Sequence, residues 1–303
     1  MSGSRNPSRL LKRIRDQDRL PVRSGERLGS TPAVEAARRM NRAAGLLAAS
    51  VLADSAIEHY RGSYHRRAMF APLVSAALSL AVSAHGNADR RLAAHRVRDV
   101  VYTAAFLTGC AGTGFHLYNV VKRPGRLSWQ NLFYGAPLLA PAALILSGGM
   151  GFLAERVRNN PPRRAPTILG IAAGRIVAAA TAIGLAGTSG EAGLLHFRGA
   201  FHDPFMVLPV TIPPATALLM GGVALGSRRR RRPLTRFFLR ASAALGIAGV
   251  GFHAVGVARN MGGWGNWRQN VLNGPPLPAP PSFTGLALAG LAALGLLEGR
   301  ADV

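Results

Sequence analysis

The sequence predicts an all-α integral membrane protein with about eight transmembrane helices, arranged as two parallel four-helix repeats related by a pseudo-two-fold axis along the membrane normal. Three observations predict it. Apolar residues make up 49% of the 303-residue chain beside a formal net charge of +24, and the two properties are segregated along the sequence, not mixed. The arginine clusters fall in alternate connections between apolar stretches. The second half of the chain repeats the first at a constant offset.

Taken in order, residues 1–39 are polar and Arg-rich and lack the apolar core of a cleaved secretory signal. Asp16, Asp18, Glu26 and Glu35 also set them apart from an organelle transit peptide. They are expected to form a basic, mobile cytoplasmic N-terminal tail. Residues 40–158 are expected to form the first four-helix membrane repeat, with spans at 40–58, 67–85, 99–121 and 132–154. Residues 159–303 are expected to form the second, with spans at 167–190, 204–226, 235–258 and 277–297. Each stretch is close to the roughly 20 residues that cross a bilayer as helix. Abundant Gly and Ala suit close helix contact in lipid. Pro137 and Pro141, and Pro275, Pro276, Pro278, Pro280 and Pro281, interrupt the fourth and eighth spans, which should therefore be enclosed by protein or line a cavity.

The basic residues set the orientation. Clusters lie ahead of Asn41, at Arg90, Arg91, Arg96 and Arg98, at Arg156, Arg158, Arg163 and Arg164, and at Arg228 to Arg232 with Arg236 and Arg240. They share one side of the membrane, and the positive-inside rule makes that side cytoplasmic, with both termini there. The expected location is the bacterial inner (plasma) membrane. The expected partners are the lipid bilayer, with anionic lipids on the cytoplasmic side, and a periplasmic redox partner or quinone; segregation of the charge argues against nucleic acid. Cys110, the single cysteine, excludes an intramolecular disulfide or a multi-thiolate metal site.

The duplication centres on histidine. His59, His65 and His116 map onto His196, His202 and His253; 196 minus 59, 202 minus 65 and 253 minus 116 all equal 137. Around the first pair, His59-Tyr60-Arg61-Gly62-Ser63-Tyr64-His65 becomes His196-Phe197-Arg198-Gly199-Ala200-Phe201-His202. Met69 and Met206 share the offset, as do Gly112-x-Gly114-Phe115-His116 and Gly249-x-Gly251-Phe252-His253. After Gly125 the second copy gains two residues, and the match resumes at Trp129/Trp267, Gln130-Asn131/Gln269-Asn270, Gly135/Gly274, Pro137/Pro276 and Pro141/Pro280. His85 and His95 have no counterparts, because Gly222 and Arg232 stand there. All six repeated histidines are expected on the periplasmic side; the two unrepeated ones fall on the cytoplasmic side.

Imidazole ligates transition metals and serves as an axial haem ligand. The six repeated histidines are therefore metal or haem ligand candidates, with haem b or copper as the expected cofactor. Four-helix membrane cytochromes also pair histidines on facing helices, a resemblance of architecture that carries no motif. Arg61 and Arg198 would hold haem propionates as forks. Met69 and Met206 would supply thioethers to copper, and Asp54 and Glu191, acids at equivalent positions, would act as charge partners or further ligands. Trp129, Gln130, Asn131, Trp267, Gln269 and Asn270 would line a pocket beside the histidines or, the commoner use, cap helices and anchor them at the membrane surface. Pairing of Arg61 with Asp54 and of Arg198 with Glu191 would be the purely structural use of those groups.

The function expected from this set is a haem- or copper-binding electron-transfer subunit linked to the quinone pool. A transporter or small-ligand-binding membrane protein using the same polar site is the first alternative, and a structural anchor or assembly factor for a periplasmic partner the second. No phosphate-cradling glycine pattern, serine-nucleophile motif, HExxH or paired-carboxylate motif is present, so no catalytic residue is assigned.

Overall fold

The computed structural model describes residues 31–135, 137–160, 166–226 and 232–299. The tail through residue 30, Arg163, Arg164 and Arg228 to Arg231 lie outside the described residues. The fold is all-helical apart from one small hairpin. Copy one comprises α1 (Pro32–Arg61), α2 (Ala71–Ala88), α3 (Arg96–Val121), the short α4 (Trp129–Tyr134) and α5 (Ala142–Arg158). A hairpin of β1 (Thr167–Ile168) and β2 (Ile171–Ala172) leads into copy two. That copy comprises α6 (Ala173–Arg198), α7 (Ile212–Ala224), α8 (Arg232–Arg259), the short α9 (Trp267–Asn273) and α10 (Pro281–Glu298). A 3-10 turn precedes α2 (Arg67–Phe70) and another precedes α7 (Pro204–Val210), so the order of elements recurs at the offset seen in the sequence.

Five helical stretches are long and apolar enough to cross a membrane: Arg67–Ala88, Arg96–Val121, Pro204–Ala224, Arg232–Arg259 and Pro281–Glu298. They coincide with the second, third, sixth, seventh and eighth predicted spans. The remaining three depart from expectation for separate reasons. Helix α1 begins at Pro32, so residues 32–39, read as tail, are its first turns; proline suits the first turn of a helix, and Glu35 there complements the dipole. It is long, but Ala-rich and interrupted by Arg38, Arg39, Arg42, Asp54 and Glu58. The segment 132–154 is broken: α4 ends at Tyr134 and α5 starts only at Ala142, where the prolines release the chain. The segment 167–190 opens in the hairpin, and its helix continues past 190 to Arg198.

Helices α1, α5, α6 and α10 form the interior, with α10 against α1, α6 and α8, and α1 against α2, α5 and α10. Helix pairs α2/α3 and α7/α8 flank them and carry exposed apolar side chains such as Val74, Leu78, Leu107, Phe115, Leu218, Phe237 and Ile247. An interior helix meets protein, not lipid, which explains how α1 tolerates Ala and Ser where a lipid-facing helix needs Leu. Contact is at backbone distance in places: a Cβ on Gly109 would lie 2.6 Å from the Ile145 nitrogen, and one on Gly246 would lie 2.8 Å from the Pro280 oxygen. These approaches seat α3 on α5 and α8 on α10.

Candidate functional site

The C-terminal ends of α1, α3, α6 and α8 carry His59, His116, His196 and His253, and the loops after α1 and α6 carry His65 and His202, each held by a hydrogen bond. His59 Nδ1 donates to the Met69 carbonyl at 2.6 Å, and His196 Nδ1 to that of Met206 at 2.8 Å. His116 and His253 donate at 2.7 Å to the carbonyls of Pro137 and Pro276. His65 and His202 donate to Gly62 and Gly199 at 3.0 and 2.9 Å. A carbonyl only accepts, so in all six rings Nδ1 carries the proton and the neutral ring keeps its lone pair on Nε2. That lone pair is the one a metal takes, and an Nδ1–H bond to a backbone carbonyl is the usual way to orient such a ligand. The proline breaks enter here: a carbonyl freed by each broken helix accepts from a histidine.

Burial divides the six. His65 and His202 are exposed, and each bonds within its own loop. His59, His116, His196 and His253 are half-buried. His59 and His116 are electrostatic neighbours within copy one, as His196 and His253 are within copy two. The half-buried histidines of each copy thus lie in electrostatic range of one another, on its first and third helices. Among the described residues, no group of three or more His, Cys, Asp or Glu side chains is placed to hold a metal ion.

The supporting residues are engaged in other ways. Arg61 pairs with Glu58 at 2.8 Å, not with Asp54. Arg198 donates to the Leu132 carbonyl and lies over the Phe133 ring, so α4 of copy one closes on the end of α6; reciprocally, Arg268 on α9 reaches the Tyr60 hydroxyl at the end of α1. The methyl groups of Met69 and Met206 rest on Gly62 and Gly199, where a Cβ would come within 3.2 and 3.1 Å. Asp54 and Glu191 are electrostatic neighbours across the two copies. Asn131 ties down its loop by donating to the carbonyls of Pro124 and Arg126, and Asn270 does the same to Met261 and Gly263. Ser128 caps α4. Trp129 and Trp267 are exposed, as are Gln130 and Gln269. No protein-family model, curated protein or solved structure matches the chain.

The opposite, arginine-bearing end of copy one holds a cluster that reading the motifs missed. Arg98, Glu155 and Arg158 are fully buried. Arg98 grips Glu155 with two parallel bonds, Nε to Oε1 at 2.8 Å and Nη2 to Oε2 at 2.9 Å, and reaches Asp89 with Nη1 at 2.8 Å. Arg158 donates to the carbonyls of Gly86, Asp89 and Arg91, while the His95 N–H donates to Glu155. Deeper in, the Tyr102 hydroxyl donates to Asn41 at 2.6 Å and pairs with Ser83 at 3.0 Å. One signal could have found this cluster. At the equivalent positions in copy two, with the insertion allowed for where it intervenes, stand Ala178, Met220, Val223, Gly226, Thr235, Leu239, Leu294 and Leu297.

Proposed function

We propose that the protein is a multi-pass inner-membrane protein of two fused parallel four-helix repeats, with both termini cytoplasmic and α1, α5 and α6 completing the set of eight spans. On its periplasmic side it binds haem b at two sites, His59 with His116 and His196 with His253, and carries electrons between a periplasmic partner and the quinone pool. One observation supports the reading: all six repeated histidines spend Nδ1–H on a main-chain carbonyl, which leaves Nε2 as the nitrogen for a metal, and the two half-buried ones of each copy are electrostatic neighbours. Two such nitrogens, His59 with His116 and His196 with His253, would be the residues that hold a haem iron in each copy. Copper would call for further ligands, and the methionine side chains that would supply them rest on glycine backbone.

The bound group would supply one-electron chemistry. The chain's own contribution is to hold four imidazoles in a single tautomer, at matched positions in the two copies, with Arg61 and Arg198 kept in place by Glu58 and the Leu132 carbonyl. The test is a visible spectrum of the protein purified in mild detergent from cells supplied with haem precursor and copper, with metal analysis beside it. A Soret band that falls by about half in His116→Ala and by about half in His253→Ala is the expected result, because each copy ligates separately. A preparation with neither haem nor copper would overturn the reading. The Asp54 and Glu191 neighbourhood favours a second one, a polar small-ligand or transport site between the repeats.

A further inference from the structure

The arginine end of copy one encloses a cleft of about 430 Å³, lined by His85, Ala88, Asp89, Arg90, Arg91 and His95. We infer that this cleft is a binding site for a phosphate-bearing anion. The loop that forms it, between α2 and α3, has no regular structure of its own, yet it is held from beneath by buried charge. Arg158 bonds three of its carbonyls or those just before it, Glu155 takes the His95 N–H, and Arg98 takes the Asp89 carboxylate. A surface connection needs none of this. The support fixes the loop before any ligand arrives, which lowers the ordering cost of binding.

The lining selects an anion. Asp89 is the only acid in it, and its charge is already matched by Arg98 at 2.8 Å. The side chains of Arg90 and Arg91 are exposed and make no ion pair among the described residues, which leaves two guanidinium forks for the oxygens of one phosphate. His85 turns Nδ1 toward Arg98 Nη1 at 3.5 Å. Arginine can only donate, so that nitrogen accepts, and His85 Nε2–H is free to donate. The His95 ring stands edge-on to His85 at 5.2 Å, with its buried Nδ1 unpartnered. No three-ligand metal arrangement is present among the described residues.

Copy two shows that the bundle does not require this chemistry for folding. There Leu294, Leu239 and Met220 lie in the apolar core with Leu297 packed against it, and the neutral Thr235 stands where copy one has Arg98. Buried charges are costly where an apolar solution exists, so their retention in one copy marks a use beyond cohesion. The phosphate could belong to an anionic lipid headgroup or to a small soluble compound. Placement on the cytoplasmic face rests on the orientation proposed above, which reporter fusions at the termini test separately; the chemistry of the cleft does not depend on it.

The experiment uses the full chain and the double variant Arg90→Ala/Arg91→Ala, whose side chains are at the surface and whose thermal melt should match that of the parent. Native mass spectrometry from mixed phosphatidylglycerol and phosphatidylcholine micelles reads retained lipid, and calorimetric titration with inorganic phosphate reads the soluble form. Preferential retention of phosphatidylglycerol, weakened about tenfold or more in the variant, assigns the site to lipid. Phosphate binding weakened to the same degree assigns it to a soluble ligand. If neither probe binds, or if the variant binds as well as the parent, the inference is overturned.

Discussion

In copy one, Tyr102 covers Gly151 so closely that a Cβ there would fall 2.2 Å from the ring, and its hydroxyl joins Asn41 and Ser83. In copy two, Leu239 covers Gly290, where a Cβ would fall 2.5 Å away, and its neighbours at the matching positions are Ala178 and Met220. The same backbone contact is filled once with a polar group and once with an aliphatic one. The histidine ends behave in the opposite manner, repeating each hydrogen bond with the same partner position and nearly the same length. The matched positions are therefore alike at one end of the bundle and unlike at the other. The comparison also separates what the helices need in order to associate from what only one copy uses. In lipid, apolar burial does not drive helices together, so close fit and hydrogen bonds do; among the described residues, the fully buried charged side chains all belong to copy one.

The sharpest way to break the comparison is Glu155→Leu. Alone, it leaves the buried Arg158 without its counter-charge and Arg98 with Asp89 only, and should cost about 3–5 kcal/mol, read as a large fall in the thermal midpoint in detergent. Installing the copy-two residues together, Asp89→Gly, Arg98→Thr, Glu155→Leu and Arg158→Leu, should recover most of that loss. A quadruple variant no more stable than the single one would show that the apolar solution is not transferable between copies. A smaller effect is expected from Tyr102→Phe, which strands the buried Asn41 and Ser83 oxygens at a cost of about 1–3 kcal/mol. The matching change in copy two, Leu239→Phe, removes no hydrogen bond, so its effect should come from crowding against Gly290 alone.

The smallest effect concerns acid. Burial works to raise the Asp89 pKa, but the Arg91 N–H, the Arg98 hydrogen bond and the charges of Arg98 and Arg158 outweigh it, so the carboxyl is held below the ordinary aspartate range. A group favoured as carboxylate in the folded state lends stability that is full above its unfolded pKa and disappears as pH falls through the folded value. Stability should therefore decline below about pH 4, and Asp89→Asn should flatten that decline. An unchanged acid profile in the variant would mean that Asp89 is not tied to Arg98 in solution.

The histidine end was legible because duplication is an internal alignment: each repeated residue had to fit the same local geometry twice. The tautomer was not legible, since it depends on where Pro137 and Pro276 release a carbonyl, and sequence distance from His116 and His253 conceals that contact. The interior helices were harder. A span reads in sequence as a run of lipophilic residues, but α1 packs against α2, α5 and α10 and is Ala-rich, with Asp54 and Glu58 near its end. The arginine-end cluster escapes the sequence because Arg98 and Arg158 read there as members of the basic clusters that set orientation. Asp89 and Glu155, acids among those arginines with Gly226 and Leu294 opposite them in the repeat, carried the missing information.

The hairpin at Thr167–Ala172 turns through Leu169 and Gly170, both at positive φ, 51° and 76°, and belongs to the covalent link between the copies. A single-copy protein assembling in pairs would encode its arginine end once and display it twice, so any charge introduced there would appear on both partners. Joining the copies in one chain fixes their ratio at one to one and lets each end acquire its own residues. The asymmetry of the arginine end is thus a property that a homodimer of either half could not express.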